Sequence, residues 1–232
     1  LKSSDGQLHK RGFISEKDLR SKEALSCDGL LLLLKSKTPA ERTIAAQLLE
    51  KCKTVTVVDS LCAALINEKS LYTKIALCDT LASFRELSAE KLCALLGTIG
   101  SNQHKSVPQK PFEKRSFPLP RDIAARTLSR IGIAALPFLG KILESGEGFA
   151  IREAIDAIGF ISFYEKDLTL FDQLIHCMRK HGSDPVIRWK IAVALRSFRS
   201  DESRQVLESI AANDSDKAIR AAAKQSLEQM KN

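Results

Sequence analysis

The sequence lacks any apolar run near the roughly 18 residues that a membrane-spanning helix needs. Its stretch of consecutive leucines, Leu30 to Leu34, stops far short of that. Glycine (11) and proline (7) are scarce, which excludes collagen-like and low-complexity chains. Apolar and polar residues never alternate for long enough to predict a strand. None of the six cysteines belongs to a C-x-x-C pair, so zinc ribbons and dithiol redox motifs are not expected. His176 and His181 do not fall on one helical face, and no structural metal is expected. A nucleophile elbow and a Cys–His pairing are absent. The glycines at 97 and 100, and at 146 and 148, read as helix-end or turn residues without a phosphate-loop pattern. No catalytic residue and no cofactor is therefore assigned. The first 14 residues are polar and basic, with no apolar segment, so a secretory signal is not expected.

What the chain does have is aliphatic. Of its 232 residues, 44% are hydrophobic and 28% charged, while aromatics make up 6%. A chain of this length forms one large domain or one extended array, with roughly 70% of its unfolded surface buried. Cys27, Cys52, Cys62, Cys78, Cys93 and Cys177 lie mostly among Leu and Ala at helical spacing. They read as small core residues, a usage that fits a reducing, cytoplasmic setting. Lysine and arginine total 36 against 28 acids, a net charge of +8. The cation excess is greatest over residues 101–150. Such a balance accommodates an anionic partner without requiring one. The chain starts at Leu1 rather than Met, as a piece of a longer protein or a processed form would.

A repeat organises the chain. Asp184-Pro-Val-Ile-Arg188 leads to Leu195, and Asp216-Lys-Ala-Ile-Arg220 leads to Leu227. Each has an N-capping Asp, an aliphatic, a cation and then leucine in the same register, and Pro185 suits a first helical turn. The register recurs after Thr38-Pro39 with Arg42, at Lys74, at Ile123-Ala124, and at Ala150-Ile151 with Arg152 displaced by one residue. Between these copies, apolar residues at i, i+3, i+4 and i+7 predict partner helices near 15–35, 55–67, 87–99, 133–145, 167–181 and 201–212. The first of these reads as interrupted at Asp28-Gly29. The period, as from Arg188 to Arg220, would suit a tetratricopeptide (about 34) or an ankyrin (about 33) repeat, but the Trp-Gly-Tyr and Thr-Pro-Leu-His signatures of those repeats are missing. Each repeat's leading cation (Arg42, Lys74, Arg188, Arg220) is expected to meet the capping Asp of a neighbouring repeat.

The Asp-x-x-Ile-Arg-x-x-x-Ala pattern, followed by small residues and leucine, resembles HEAT repeats, especially the short bacterial kind also seen in phycobilisome lyases. The resemblance implies an all-α fold, an α-solenoid of about six HEAT-like hairpins, with second helices lining a concave face. The expected organisation is a polar N-terminal tail over 1–14 and a single repeat domain over 15–232. One spacing breaks the array. The surplus falls at about 100–119, where Pro108, Pro111, Pro118 and Pro120 lie in or beside the segment and five cations, Lys105 to Arg121, face one acid, Glu113. This predicts a Pro-rich basic insertion between two helices, of the kind that is usually functional or disordered.

On the helix predicted over 185–198, Ile187, Ile191, Ala194, Leu195 and Phe198 form the apolar stripe. Trp189, Val193 and Arg196 then lie on the opposite face, with Arg152 and Asp156 at matching positions of the preceding repeat. Trp and Arg are favoured anchors at binding centres. These five residues are the candidate partner-binding site. Lys110, Phe112, Lys114, Arg115 and Phe117 are the candidate loop contacts, clamping a partner or folding back across the groove. The leading expectation is a non-enzymatic interaction scaffold for a protein or peptide segment. A nucleic-acid partner is the alternative, since DNA-alkylation-repair glycosylases also resemble HEAT arrays, yet a second tryptophan for their aromatic pocket is missing. Bilin-lyase activity is implied only by resemblance, with no chromophore residue to carry over.

Overall fold

The helices begin where capping residues say they should. In a computed structural model that describes residues 4–110 and 112–231, Asp184 and Asp216 accept hydrogen bonds from the first backbone N–H groups of their helices, and Asp122 from Ala125 N. Such caps satisfy donors that an α-helix leaves unpaired at its start. All regular structure among the described residues is helical. It divides into two compact units, Leu1–Lys91 and Leu92–Asn232, where the sequence pattern drew one array over 15–232.

The first unit holds α1 (Asp5–Lys10), α2 (Glu16–Arg20), α3 (Cys27–Leu33), α4 (Pro39–Leu48), α5 (Val55–Asn67), α6 (Leu71–Ser83) and the start of α7 (Glu86–Cys93). Helices α4 and α6 lie side by side, with α3 against α4 and α5 against α6. Small residues make this close approach possible. Ala45, Ala46 and Ala76 are buried, and the Thr80 hydroxyl donates to the Ala46 carbonyl at 2.8 Å.

Three expectations change here. Residues 5–10 of the presumed tail are helical, and the chain after them is docked rather than loose. Tyr72 N donates to the Arg11 carbonyl at 3.1 Å, and the Phe13 ring sits edge-on to Tyr72 with centroids 5.3 Å apart. The long helix expected over 15–35 breaks over residues 21–26, ahead of Asp28-Gly29, because Ser26 caps a new helix through Gly29 N. Cys27 and Cys52 form a disulfide. Two of the six cysteines are thus a covalent tie rather than core filler, and cysteine usage no longer supports a reducing compartment. Burial pushes the Cys62 and Cys177 thiols up to about 11, which leaves them unreactive.

The second unit holds α8 (Ile123–Ile131), α9 (Leu136–Ser145), α10 (Gly148–Glu165), α11 (Phe171–Lys180), α12 (Pro185–Ala194), α13 (Asp201–Asn213) and α14 (Lys217–Met230). Helices α8, α10, α12 and α14 form one row, each packed on the next, while α9 packs on α10 and α11. This is hairpin stacking: each hairpin is half-covered until its neighbour arrives. The aliphatic stripe of α12 lies in the core, with Ile187, Ile191, Ala194 and Leu195 each no more than 1% exposed. The stretch Ile123–Ser145 has the length and hydropathy of a membrane span, but Gly132 turns the backbone at φ +76 between α8 and α9. Most of its apolar window is buried within the unit.

Cations join successive repeats, but the expected capping Asp is the partner of Arg152 and not of Arg42, Arg188 or Arg220. Arg42 binds Glu68 at 2.7 Å in the first unit; in the second, Arg188 binds Asp214 at 2.8 Å and Arg152 binds Asp184 at 2.6 Å. Glu68 and Asp214 stand two residues ahead of the next helix's N-cap, while Asp184 is itself the cap. Arg220 instead donates to the Asp214 and Ser215 carbonyls.

Candidate functional site: a helix face covered by the insertion

The insertion leaves and returns through one buried carboxylate. Asp122 is fully buried, and it accepts from Gly97 N at 3.2 Å, from the Gln103 amide at 2.8 Å and from Ala125 N at 2.9 Å. One side chain thus closes the base of the loop and starts α8. The described residues between these anchors form no helix or strand. Pro111, one of the prolines that marked the insertion, lies outside the described residues.

Two side chains of the helix row hold the loop by its main chain. The Arg196 guanidinium donates to the Ser116 carbonyl at 2.8 Å. The Gln229 amide donates to the Phe112 and Lys114 carbonyls at 3.2 Å each, and its oxygen accepts from Arg196. Arg196 itself is only 3% exposed. Its charge lies over three rings, 4.7 Å from the centroid of Phe117, 5.6 Å from Phe163 and 5.7 Å from Phe112. Cation–π contacts of this kind gain strength when desolvated. Burial lowers the guanidinium to about 10, and it stays charged at neutral pH.

The aromatic side chains fix the loop's depth. Phe117 is buried and meets the Phe163 and Phe160 rings at centroid distances of 5.8 and 6.4 Å. The helix surface is hollowed for it at Gly159, where a Cβ would stand 2.5 Å from Phe117 Cζ and 3.0 Å from Ala194 Cβ. Gly159→Ala is therefore expected to cost about 1–3 kcal/mol through overpacking and to lift Phe117 from its seat. Hydrogen exchange comparing loop amides with the amides of α13 checks this; unchanged loop protection would contradict it.

Beyond Phe117 the loop meets Trp189. The His104 imidazole sits edge-on to the indole, with centroids 4.8 Å apart. A cavity of about 280 Å³ lies here, lined by loop residues together with Trp189, Val193 and Asp156. Beneath it is a buried ion cluster. Lys190 Nζ contacts Glu153 Oε1 at 2.7 Å and Asp156 Oδ2 at 2.9 Å, with the Lys190 and Glu153 side chains fully buried. Burial raises the Glu153 carboxyl to about 7 against the pull of Lys190. Burial also lowers His104 to about 4, opposed by Asp156 and aided by Arg121 and Lys190. The contact made by neutral His104 is therefore fully present above pH 6.5, its ordinary value, and is lost as pH falls toward 4. Proton titration of the His104 ring resonances tests this. A midpoint near 6.5 would show that the ring is not seated.

The structure separates the residues singled out in the sequence. Trp189, Val193 and Asp156 come together around the cavity, and Lys110 and Phe112 join them from the loop. Arg196 faces the loop instead of lying open to a partner, because Phe112, Phe117 and Phe163 enclose it. Arg152 is held by Asp184 and lies over the Phe149 ring at 4.9 Å. Lys114 and Arg115 point their chemistry to solvent, and Phe117 is core. His104, Arg121, Gln229, Gly159, Lys190 and Glu153 were not singled out. One signal was available: Lys190 falls three residues after Ile187, on the apolar stripe of α12, where an unpaired lysine cannot stay.

The family comparison agrees with the repeat pattern over part of the chain. Residues 136–228 match the family model for HEAT repeats. No curated protein matches the chain. Among solved structures, a designed armadillo repeat protein is similar at 14% identity and a TM-score of 0.34, covering 88% of this chain and all of its own. Residues 136–228, which supply α9 to α14 of the second unit, are HEAT repeats.

Proposed function

We propose that the chain is a non-enzymatic interaction module whose α10–α12–α14 face holds an extended protein segment, with the 101–119 insertion as its resident occupant. HEAT repeats typically serve as protein-interaction scaffolds. The observation that supports the reading most is main-chain capture. Arg196 and Gln229 take three loop carbonyls, those of Ser116, Phe112 and Lys114. Contacts to carbonyls do not depend on the side chains of the bound segment, so a partner segment of similar shape competes for the same donors. Specificity then comes from the hollow at Gly159, which admits a phenylalanine ring.

The test is binding in trans. A synthetic peptide of residues 106–119 is titrated against the chain carrying Phe112→Ala and Phe117→Ala, which loosens its own loop. Saturable binding, lost when the peptide's phenylalanines are replaced by alanine, is expected. Absence of binding at millimolar peptide, with the variant still folded by circular dichroism, would contradict it. A mixed-sequence DNA duplex serves as the competing ligand. Binding that falls steeply with salt would favour nucleic acid instead, drawn to the exposed cations Lys105, Lys114 and Arg115.

A further inference from the structure

We propose that the cavity between the insertion and α12 is a binding site for a small ring-bearing anion, of the aromatic carboxylate class. Its walls are apolar and flat. Trp189 and Val193 come from α12, and Pro108, Phe112, Pro118 and Leu119 from the loop. Rings and prolines facing one another suit a planar guest, because aromatic groups pack best in offset or edge-on contact.

The charged groups set the sign. Lys110 and Arg121 line the cavity, and both are exposed, so neither is neutralised by burial against an acid. Asp156 is the acid of the lining, and its carboxylate is already engaged by Lys190 at 2.9 Å. Glu153 is bound to the same ammonium from the buried side. The groups facing the cavity therefore carry an excess of positive charge. A carboxylate on the guest meets Lys110 and Arg121, while a cationic guest meets both cations and an acid that is already occupied.

One polar atom asks for a ligand. His104 Nδ1 is buried, with no hydrogen-bond partner among the described residues. Buried polar atoms are usually paired, and an exception calls for an explanation. A neutral imidazole offers that nitrogen as donor or acceptor to a polar atom of the guest. The cavity volume of about 280 Å³ lies at the low end of ligand sites. It admits one compact ring system with its acid group, not a long chain. Phe112 is shared with the loop capture, its ring lining the cavity and its carbonyl bound by Gln229, but the contacts to Trp189, His104, Lys110 and Arg121 belong to the cavity alone, so it stands or falls without the extended-segment reading.

The test uses the full chain and its single tryptophan. In ¹⁵N-labelled protein, the indole N–H of Trp189 gives one resonance. 2-Naphthoate is titrated against it, with 2-naphthamide as the neutral match and acetate as the ring-free match. The expected result is a saturable shift with naphthoate, affinity for the amide weaker by about 10-fold, and no shift with acetate at equal concentration. Arg121→Gln and Lys110→Gln, both at exposed positions, are each expected to weaken naphthoate binding by about 3–5-fold without changing the free spectrum elsewhere. No saturable shift, equal binding of acid and amide, a matching shift from acetate, or unchanged affinity in both variants would each overturn the proposal. None of these outcomes bears on the peptide titration, so the two readings fail separately.

Discussion

Lys190→Ala is expected to destabilise the second unit by about 3–5 kcal/mol, because it leaves Glu153 as a buried charge without its partner. The single change removes the ammonium from between Glu153 and Asp156. Asp156 keeps some access to solvent and can be rehydrated, but Glu153 is 0% exposed and its second oxygen has no hydrogen-bond partner among the described residues. The loss should depend on pH, and its sign follows from the raised Glu153 carboxyl. A group whose folded value exceeds its unfolded value favours the folded state at low pH. Its contribution is fully present below 4.5, the ordinary value, and is lost as pH rises through about 7. Without Lys190 the folded value climbs further, so the variant should recover stability on acidification more steeply than the parent. Urea unfolding followed by Trp189 fluorescence, which reports on the second unit, measures both effects. Lys190→Met paired with Glu153→Leu should recover most of the loss, since an apolar pair can replace a buried ion pair at little cost. A loss under about 1 kcal/mol for the single variant would mean that water reaches the cluster.

Arg196→Ala is expected to release the insertion while the helix row stays folded. The variant loses the bond to Ser116, the bond to Gln229 and contacts with three rings. Cation–π and charged hydrogen-bond contributions together give about 2–4 kcal/mol of local stability. At 2 kcal/mol the open population of the loop rises about 30-fold. Lys114 and Arg115 are exposed cleavage points for trypsin, so the rate of cutting after these two residues should rise by that factor. Arg196→Lys should fall between the two, since an ammonium keeps the charge but not the planar fork. Equal cutting rates in all three proteins would show that Arg196 does not hold the loop.

These effects explain how far the sequence could be read. The hairpin pattern was legible because period, caps and small residues all follow from helix geometry. The helix expected over 55–67 is found as Val55–Asn67, and Asp184 and Asp216 cap as expected. The insertion was legible as a break in that period. Its resting place was less so. Helical-wheel geometry puts Arg196 beside Trp189, but it cannot show that Phe112 and Phe117 come from some eighty residues away to cover it. Gly159 stands at the position that matches Arg196 in the preceding repeat, and only the ring of Phe117 gives its missing side chain a reason. The pairing of Cys27 with Cys52 was hidden for a similar cause, since both sit at spacings that also suit a helix core.

The insertion lies on the face of α12. Trp189 is the only tryptophan, so its indole protons can be assigned without ambiguity. A nuclear Overhauser spectrum of the full chain should show contacts from the indole to the His104 imidazole, whose centroid is 4.8 Å away, and to the Val193 methyls. Indole contacts confined to residues of α10 and α12, with no cross-peak to His104, would place the loop elsewhere and contradict the account.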